Sequence, residues 1–377
     1  MKRKLVSVLL CAAMVATLLA GCGSEDKDAD TSGNVTDDAG EKKDDVEPAG
    51  DDGGVTANGT YALVTKAAGN PYNEKEAEGF QKAIEEIGGT AIIKHPEEPS
   101  ASAQIEMINE LVAQGVDSIS IAGNDFDALQ PALKAAMDAG IKVNSLDSNV
   151  NADSRMVFVN QAGIDEVGET LMDAVLDIAG GEGEWAILSA TSQAANQNAW
   201  IASMKKIMED DKYADLKLVD VAYGDDVYQK SVDQTQALLE NYPDLKVICA
   251  PTTVGIMAAA KVLQDKGVAD KVKLTGLGLP SEMADYIGDG DDSSCPYMYL
   301  WNPIDVGRLS AYVAVELVAG NITGAVGDKL TYVNDAGETC DVEIVETSDE
   351  TDDGTEVIVG PPFKFEPSNI DKWKSVY

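Results

Sequence analysis

The sequence predicts an α/β fold of two doubly wound parallel-sheet lobes joined by a hinge. Three observations predict it. Short apolar runs alternate with amphipathic stretches from Thr60 onward, spaced about 25 to 30 residues apart, which is the rhythm of strand–helix–strand units with helices on both faces of a sheet. The runs, about nine over roughly 310 residues, exceed one comfortable sheet of nucleotide-binding size. The series also pauses near Val150 to Asn160, where the first lobe gives way to the second.

In chain order the strand-like runs are "YALVT", "AIIK", "DSISIAG" and "IKVNSLD", then "EWAILSA", "LKLVDVAY", "KVICAP", "VKLTGLG" and "YMYLW". Helical period fills the gaps between them. Ala77, Phe80, Ile84 and Ile87 share one face, as do Leu129, Leu133, Ala136 and Met137, which Gly140 ends. Trp200, Met204, Ile207 and Met208 repeat the pattern in the second half.

The amino-terminal residues follow other rules. A basic start (Lys2, Arg3, Lys4), an apolar run from Leu5 to Leu19 and a small-residue cleavage site read as a secretion signal over 1–21. "LAGC", ending in Cys22, resembles the lipobox of bacterial lipoproteins, in which the signal is cut before a cysteine whose thiol takes a diacylglycerol. Residues 22–58 are acidic and small, almost without large apolar side chains, and read as a disordered tether. The chain is therefore expected at the extracytoplasmic face of the cell membrane, anchored by lipid on Cys22 and not by a span.

Of 377 residues 44% are hydrophobic, enough for two cores, and the formal charge is −38. So acidic a surface repels nucleic acid and anionic lipid, so neither is expected as a partner. Of five cysteines, Cys11 and Cys22 belong to the leader, and Cys249 in "VICA" reads as core; a Cys295–Cys340 bridge stays open. His95 is the sole histidine and has no nucleophile motif beside it, so triads and His-based metal sites lack their parts. "TGLGLP" lacks the third glycine of a dinucleotide loop, and the loop counted from Asp349 in "SDETDDGTE" has Thr351 at its third position and Gly360 at its twelfth, where a calcium loop needs a bidentate Glu. No catalytic group, cofactor or metal is expected.

Ligands of doubly wound sheets bind beyond the carboxyl ends of the strands. Those ends carry Lys66, with Asn70 and Tyr72 following, then Asn124, Asp125, Asp147, Asn196, Gln197, Pro251, Thr252, Thr253, Leu279, Trp301 and Asn302. Amides, hydroxyls, one ammonium, two carboxylates and an indole suit a neutral polyol: the polar groups take hydroxyls, and the indole covers a ring face. Each also has a plainer role. Asn196 and the two threonines sit where helix caps belong, Trp301 where a core residue would, and Lys66 and Asp147 could form a surface pair. A paired-carboxylate glycosidase using Asp125 and Asp147 also stays open.

From about Tyr61 to Tyr377 the chain resembles the type I periplasmic sugar-binding proteins of ABC transporters, and within them the L-rhamnose-binding proteins. "NGTYALVTKAAGNPY", "ANQNAW", "APTTVG", "TGLGLPSEM", "WNPIDVG" and "SNIDKW" carry the likeness. It is similar too to the autoinducer-2-binding proteins, whose ligand contacts correspond to Lys66, Asp147, Gln197 and Pro251. Two positions depart from them: Asn196 stands in place of Asp, and Thr253 in place of Ala. The resemblance implies a monomeric receptor that captures a neutral monosaccharide, L-rhamnose first, for a membrane permease, and is not an enzyme. It implies a first lobe over 59–161 and 303–329, and a second over 162–302 and 330–377, with three crossings and hinge closure. In that setting Asn196 and Gln197 hold ring hydroxyls from the second lobe, Lys66 and Asp147 reach in from the first, and Trp301 and Tyr72 form an apolar wall.

Overall fold

The computed structural model describes residues 58–349 and 351–377. The signal, Cys22 and nearly all of the tether fall outside the described residues.

The first lobe runs β1 (Thr60–Val64), α1 (Pro71–Glu86), β2 (Thr90–Lys94), α2 (Ala101–Gln114), β3 (Ser118–Ile121), α3 (Gln130–Asp138), β4 (Lys142–Leu146) and β5 (Phe158–Asn160). Alternation along β1 shows why helices cover both faces. Tyr61 and Leu63 join one buried cluster, Ala62 and Val64 another formed with Ile108, Leu111 and Leu133 of α2 and α3.

The second lobe continues with α4 (Ile164–Ala179), β6 (Gly183–Ser189), α5 (Ala195–Ile207), β7 (Leu216–Tyr223), α6 (Tyr228–Asn241), β8 (Leu245–Ala250), α7 (Thr253–Lys266), β9 (Lys273–Gly276), the short α8 (Pro280–Met283) and β10 (Met298–Leu300). Its four-stranded parallel sheet has the order β7-β6-β8-β9. All nine strand-like runs of the sequence are strands.

The chain then returns through α9 (Pro303–Ala319), which lies on α1 so closely that a methyl group at Gly79 would strike the Ile304 carbonyl and one at Gly307 the Glu76 carbonyl. After the hairpin of β11 (Lys329–Val333) and β12 (Thr339–Glu343) come β13 (Val345–Glu346), β14 (Thr355–Ile358), β15 (Phe363–Phe365) and α10 (Ile370–Trp373). The first sheet has the order β13-β14-β5-β4-β3-β1-β2, while β15 pairs with β10 beside the second sheet. The chain thus passes between the lobes three times, after β5, after β10 and after β14.

Two expectations need correction. The pause near Val150 to Asn160 contains β5, a strand too short to show alternation, buried between β4 and β14. The segment 330–377 does not return whole to the second lobe, because β14 pairs with β5 as far as Ile358; only the residues after it cross. Burial explains the choice: Arg155 of the first lobe forms a buried ion pair with Asp352 and holds the acidic loop before β14 against its own lobe. That loop is not a calcium cage, since Asp349 Oδ1 accepts from the backbone and hydroxyl of Thr351. Cys249, Cys295 and Cys340 are free thiols, so the Cys295–Cys340 bridge is absent.

Candidate functional site

Carboxyl ends of parallel strands from both sheets converge on a partly open chamber with about 370 Å³ of atom-free space, its open mouth included. Lys66 follows β1, and Asn70, Tyr72 and Asn73 come from the turn into α1 and its first residues. Asp147 follows β4. The second lobe supplies Asn196, Gln197 and Trp200 from α5, Asp226 after β7, Pro251, Thr252 and Thr253 after β8, and Leu277 after β9; Leu300 and Trp301 close it from the end of β10.

Local chemistry fixes these groups. Asn70 caps α1, its Oδ1 accepting from the N–H groups of Tyr72 (3.0 Å) and Asn73 (3.4 Å), so it orients the helix start as well as lining the chamber. Asn73 turns inward: its Oδ1 accepts from Ala67 N at 3.1 Å, and its Nδ2 donates to Glu76 Oε2 at 3.4 Å. Asp147 holds a left-handed backbone (φ 55°) at the end of β4, which re-aims its side chain where the strand would otherwise continue.

The aromatic wall spans the lobes. Trp301 Nε1 donates to Tyr72 Oη at 2.6 Å, and the Trp301 ring sits tilted against Trp200 with centroids 5.6 Å apart. Trp301 is buried and is also among the residues that line the chamber.

Asn196 is not a cap, whereas Thr252 occupies the cap position of α7. α5 begins one residue before Asn196, whose Oδ1 accepts from Gln197 N at 3.0 Å, and Thr252 makes no capping bond but donates its hydroxyl to Asp226. Gln197 Nε2 donates to Pro251 O at 3.3 Å, while its Oε1 is buried without a partner among the described residues.

Electrostatics follow burial. Lys66 and Asp147 are 6% and 4% exposed, so they are no surface pair. Burial pushes the Asp147 carboxyl up from 3.8 to about 6, with the Lys66 ammonium opposing the shift. Glu76, wholly buried behind Asn73, is pushed well above the usual carboxylate range, first by burial and then by the Asp147 charge, and its Oε1 has no partner among the described residues. Burial likewise raises the Tyr72 phenol far above its ordinary value, with Asp147 and Glu76 adding to it.

Four expected residues lie elsewhere. Asn124 braces the site from behind, its Nδ2 donating to Lys66 O at 2.8 Å and its N–H to Gln104 Oε1 at 2.9 Å. Asp125 faces a separate open groove and spends its Oδ1 on the N–H groups of Asp127 and Ala128, so it does not converge with Asp147 as a glycosidase pair would. Asn302 caps α9 through Ile304 N at 3.0 Å, and Leu279 is buried at the start of α8. The lining residues not foreseen are Asn73, Trp200, Asp226, Leu277 and Leu300.

The geometry agrees with comparisons to known proteins. A solute-binding protein of an ABC transporter from Clostridium phytofermentas, solved with bound L-rhamnose, is 58% identical, with a TM-score of 0.82 over 85% of this chain and all of that one. LsrB from Clostridium saccharobutylicum in complex with AI-2 is 25% identical, with a TM-score of 0.75 over 83% of this chain and 99% of that one. The D-ribose/D-allose-binding protein of Pseudomonas aeruginosa is 28% identical over 227 residues, 57% of this chain and 69% of the relative. The family model described as a periplasmic binding protein domain matches residues 61–322, most of the folded chain, and its strand ends supply the chamber; the protein belongs to the periplasmic binding protein family.

Proposed function

We propose that this protein is a lipid-anchored receptor that closes its two lobes on a neutral monosaccharide, L-rhamnose, and presents it to an ABC permease for import. The observation that carries the reading is the chamber lining itself. Gln197 offers a buried acceptor that has no partner among the described residues, Asp147 offers a carboxylate, and Lys66, Asn196 and Thr253 offer donors, in a chamber also lined by Trp301, Tyr72 and Trp200. Hydroxyls of a pyranose answer the polar side, and the methyl group of a six-deoxy sugar answers the apolar one. A relative with 58% identity holds that sugar, which supports the choice. In this reading the lobes hinge at the three crossings, and the tether from Cys22 keeps the receptor beside its permease.

A second reading, autoinducer-2 capture, is favoured by one observation: Lys66, Asp147, Gln197 and Pro251 all line the same chamber. Calorimetric titration of the chain from residue 23 onward with both ligands decides between them. Saturable one-to-one binding of L-rhamnose alone is expected. Binding of autoinducer-2 with no response to rhamnose would replace the first reading with the second, and slow turnover of either ligand would make the protein an enzyme.

A further inference from the structure

We propose that Asp226 is the acceptor through which the second lobe takes ligand hydroxyls, and that it makes closure depend on ligand. This deepens the reading above and rests on the chamber holding a hydroxylated molecule. Asp225 and Asp226 follow β7 with left-handed backbones, φ 55° and 53°, a conformation that costs a residue bearing a side chain on the order of 1 kcal/mol and that glycine takes freely. Two successive aspartates there call for a reason. Asp225 has one, an ion pair with Lys230. Among the described residues no cation pairs with Asp226; its hydrogen bond is the one from the Thr252 hydroxyl, and the residue lines the chamber.

The other polar groups of the second lobe are partly spent. Asn196 Oδ1 accepts from Gln197 N, and Gln197 Nε2 donates to Pro251 O, which leaves Gln197 Oε1 as a neutral acceptor and Asp226 as the charged one. Asp147 stands in the same chamber from the first lobe, close enough that the Asp226 charge disfavours its ionised form. The charged and titratable groups that line the chamber with it are Lys66 and Asp147, with Tyr72 at the wall and Glu76 behind Asn73, while its chain neighbour Asp225 is neutralised by Lys230. Bringing the lobes together empty therefore sets two carboxylates against each other in a water-poor space, with a single ammonium nearby. A ligand with hydroxyls on two sides donates to both and replaces repulsion with hydrogen bonds.

Asp226→Asn isolates the charge, because Asn accepts the left-handed backbone as readily as Asp and the fold has no reason to change. Two readouts are taken on the full chain in detergent. Calorimetry uses L-rhamnose and its monodeoxy analogues; spin labels on exposed positions of α2 and α6 report lobe separation without ligand. We expect D226N to bind L-rhamnose at least tenfold more weakly, with the loss vanishing for the analogue that lacks the hydroxyl taken by Asp226. Ligand-free label distances should shift toward the closed form. If the wild type binds no rhamnose but D226N still shifts the ligand-free distances, the sugar assignment falls and the role of Asp226 stands. If rhamnose binds and D226N keeps affinity within twofold with unchanged distances, or weakens every analogue equally, the proposal is overturned and the sugar assignment stands.

Discussion

Replacing Asp147 with asparagine should make the protein more stable and unable to bind, two effects that a structural residue would not combine. Asp147 is buried with a carboxyl pushed from 3.8 to about 6, a shift worth roughly 3 kcal/mol against the folded state at neutral pH. The sign follows from proton binding. Between about pH 4 and 6 the folded form holds more protons at this site than the unfolded chain, so stability from Asp147 falls as pH rises through that window and stays low above it. Asparagine keeps the φ of 55° and removes the buried charge. The shift already includes the opposing attraction to Lys66, so the gain at pH 7.5 is at most about 3 kcal/mol.

Binding moves the other way. If two ligand hydroxyls donate to the carboxylate at about 1.5 to 3 kcal/mol each, the variant loses at least a hundredfold in affinity. Because those donors need the ionised form, affinity of the wild type should fall as pH drops through about 6, by up to tenfold per pH unit. Thermal melts at pH 7.5 and 4.5 beside calorimetry across the same range give both quantities. A D147N protein that melts below the wild type at pH 7.5, yet binds within threefold of it, would refute the assignment and make Asp147 a structural residue.

Tyr72→Phe removes the acceptor of Trp301 Nε1–H and leaves a buried donor unpaired, so it should cost about 1 to 3 kcal/mol in binding or stability, read by calorimetry and melting. Trp301→Ala should weaken binding by a few kcal/mol at most, on the order of other aromatic anchors, with the larger loss for a six-deoxy sugar than for its hydroxylated counterpart. Gly307→Ala drives a methyl into the Glu76 carbonyl and forces α1 off α9; melting should drop by roughly 2 kcal/mol or more, and Tyr72 and Asn73 should shift with the helix, so affinity falls as well.

The strand ends were legible because a parallel sheet must place its ligand groups there; Lys66, Asp147, Gln197, Pro251 and Trp301 each follow a run whose apolar residues leave no other reading. What was not legible lies where local pattern and tertiary placement part company. Asn73 and Glu76 sit on a helix whose period makes polar residues look solvated, yet α9 covers that side with Gly307 against the Glu76 backbone. Asp226 stands in "YGDDVY" beside an identical residue with the same backbone, and only their partners, Lys230 for Asp225 and Thr252 for Asp226, tell the two apart. Asn124, Asp125 and Asn302 were drawn in by the same strand-end rule. It locates the loop but not the direction of a side chain: Asp125 and Asn302 turn back on their own backbones, and Asn124 turns to the Lys66 carbonyl.

The charge inventory of the chamber narrows the ligand further than the fold does. Lys66 faces Asp147 and Asp226, and Glu76 behind them is held by burial toward its neutral form. An anionic sugar, a phosphate ester for example, would add negative charge to a space where carboxylates already outnumber the ammonium, and nothing there forms an anion cradle. A neutral polyol meets no such penalty, supplies the donor that Gln197 Oε1 lacks among the described residues and can donate further to the carboxylates. A hexose phosphate should therefore fail to compete with L-rhamnose even at a hundredfold excess in a displacement titration, and effective competition would show that the site tolerates a charge its lining argues against.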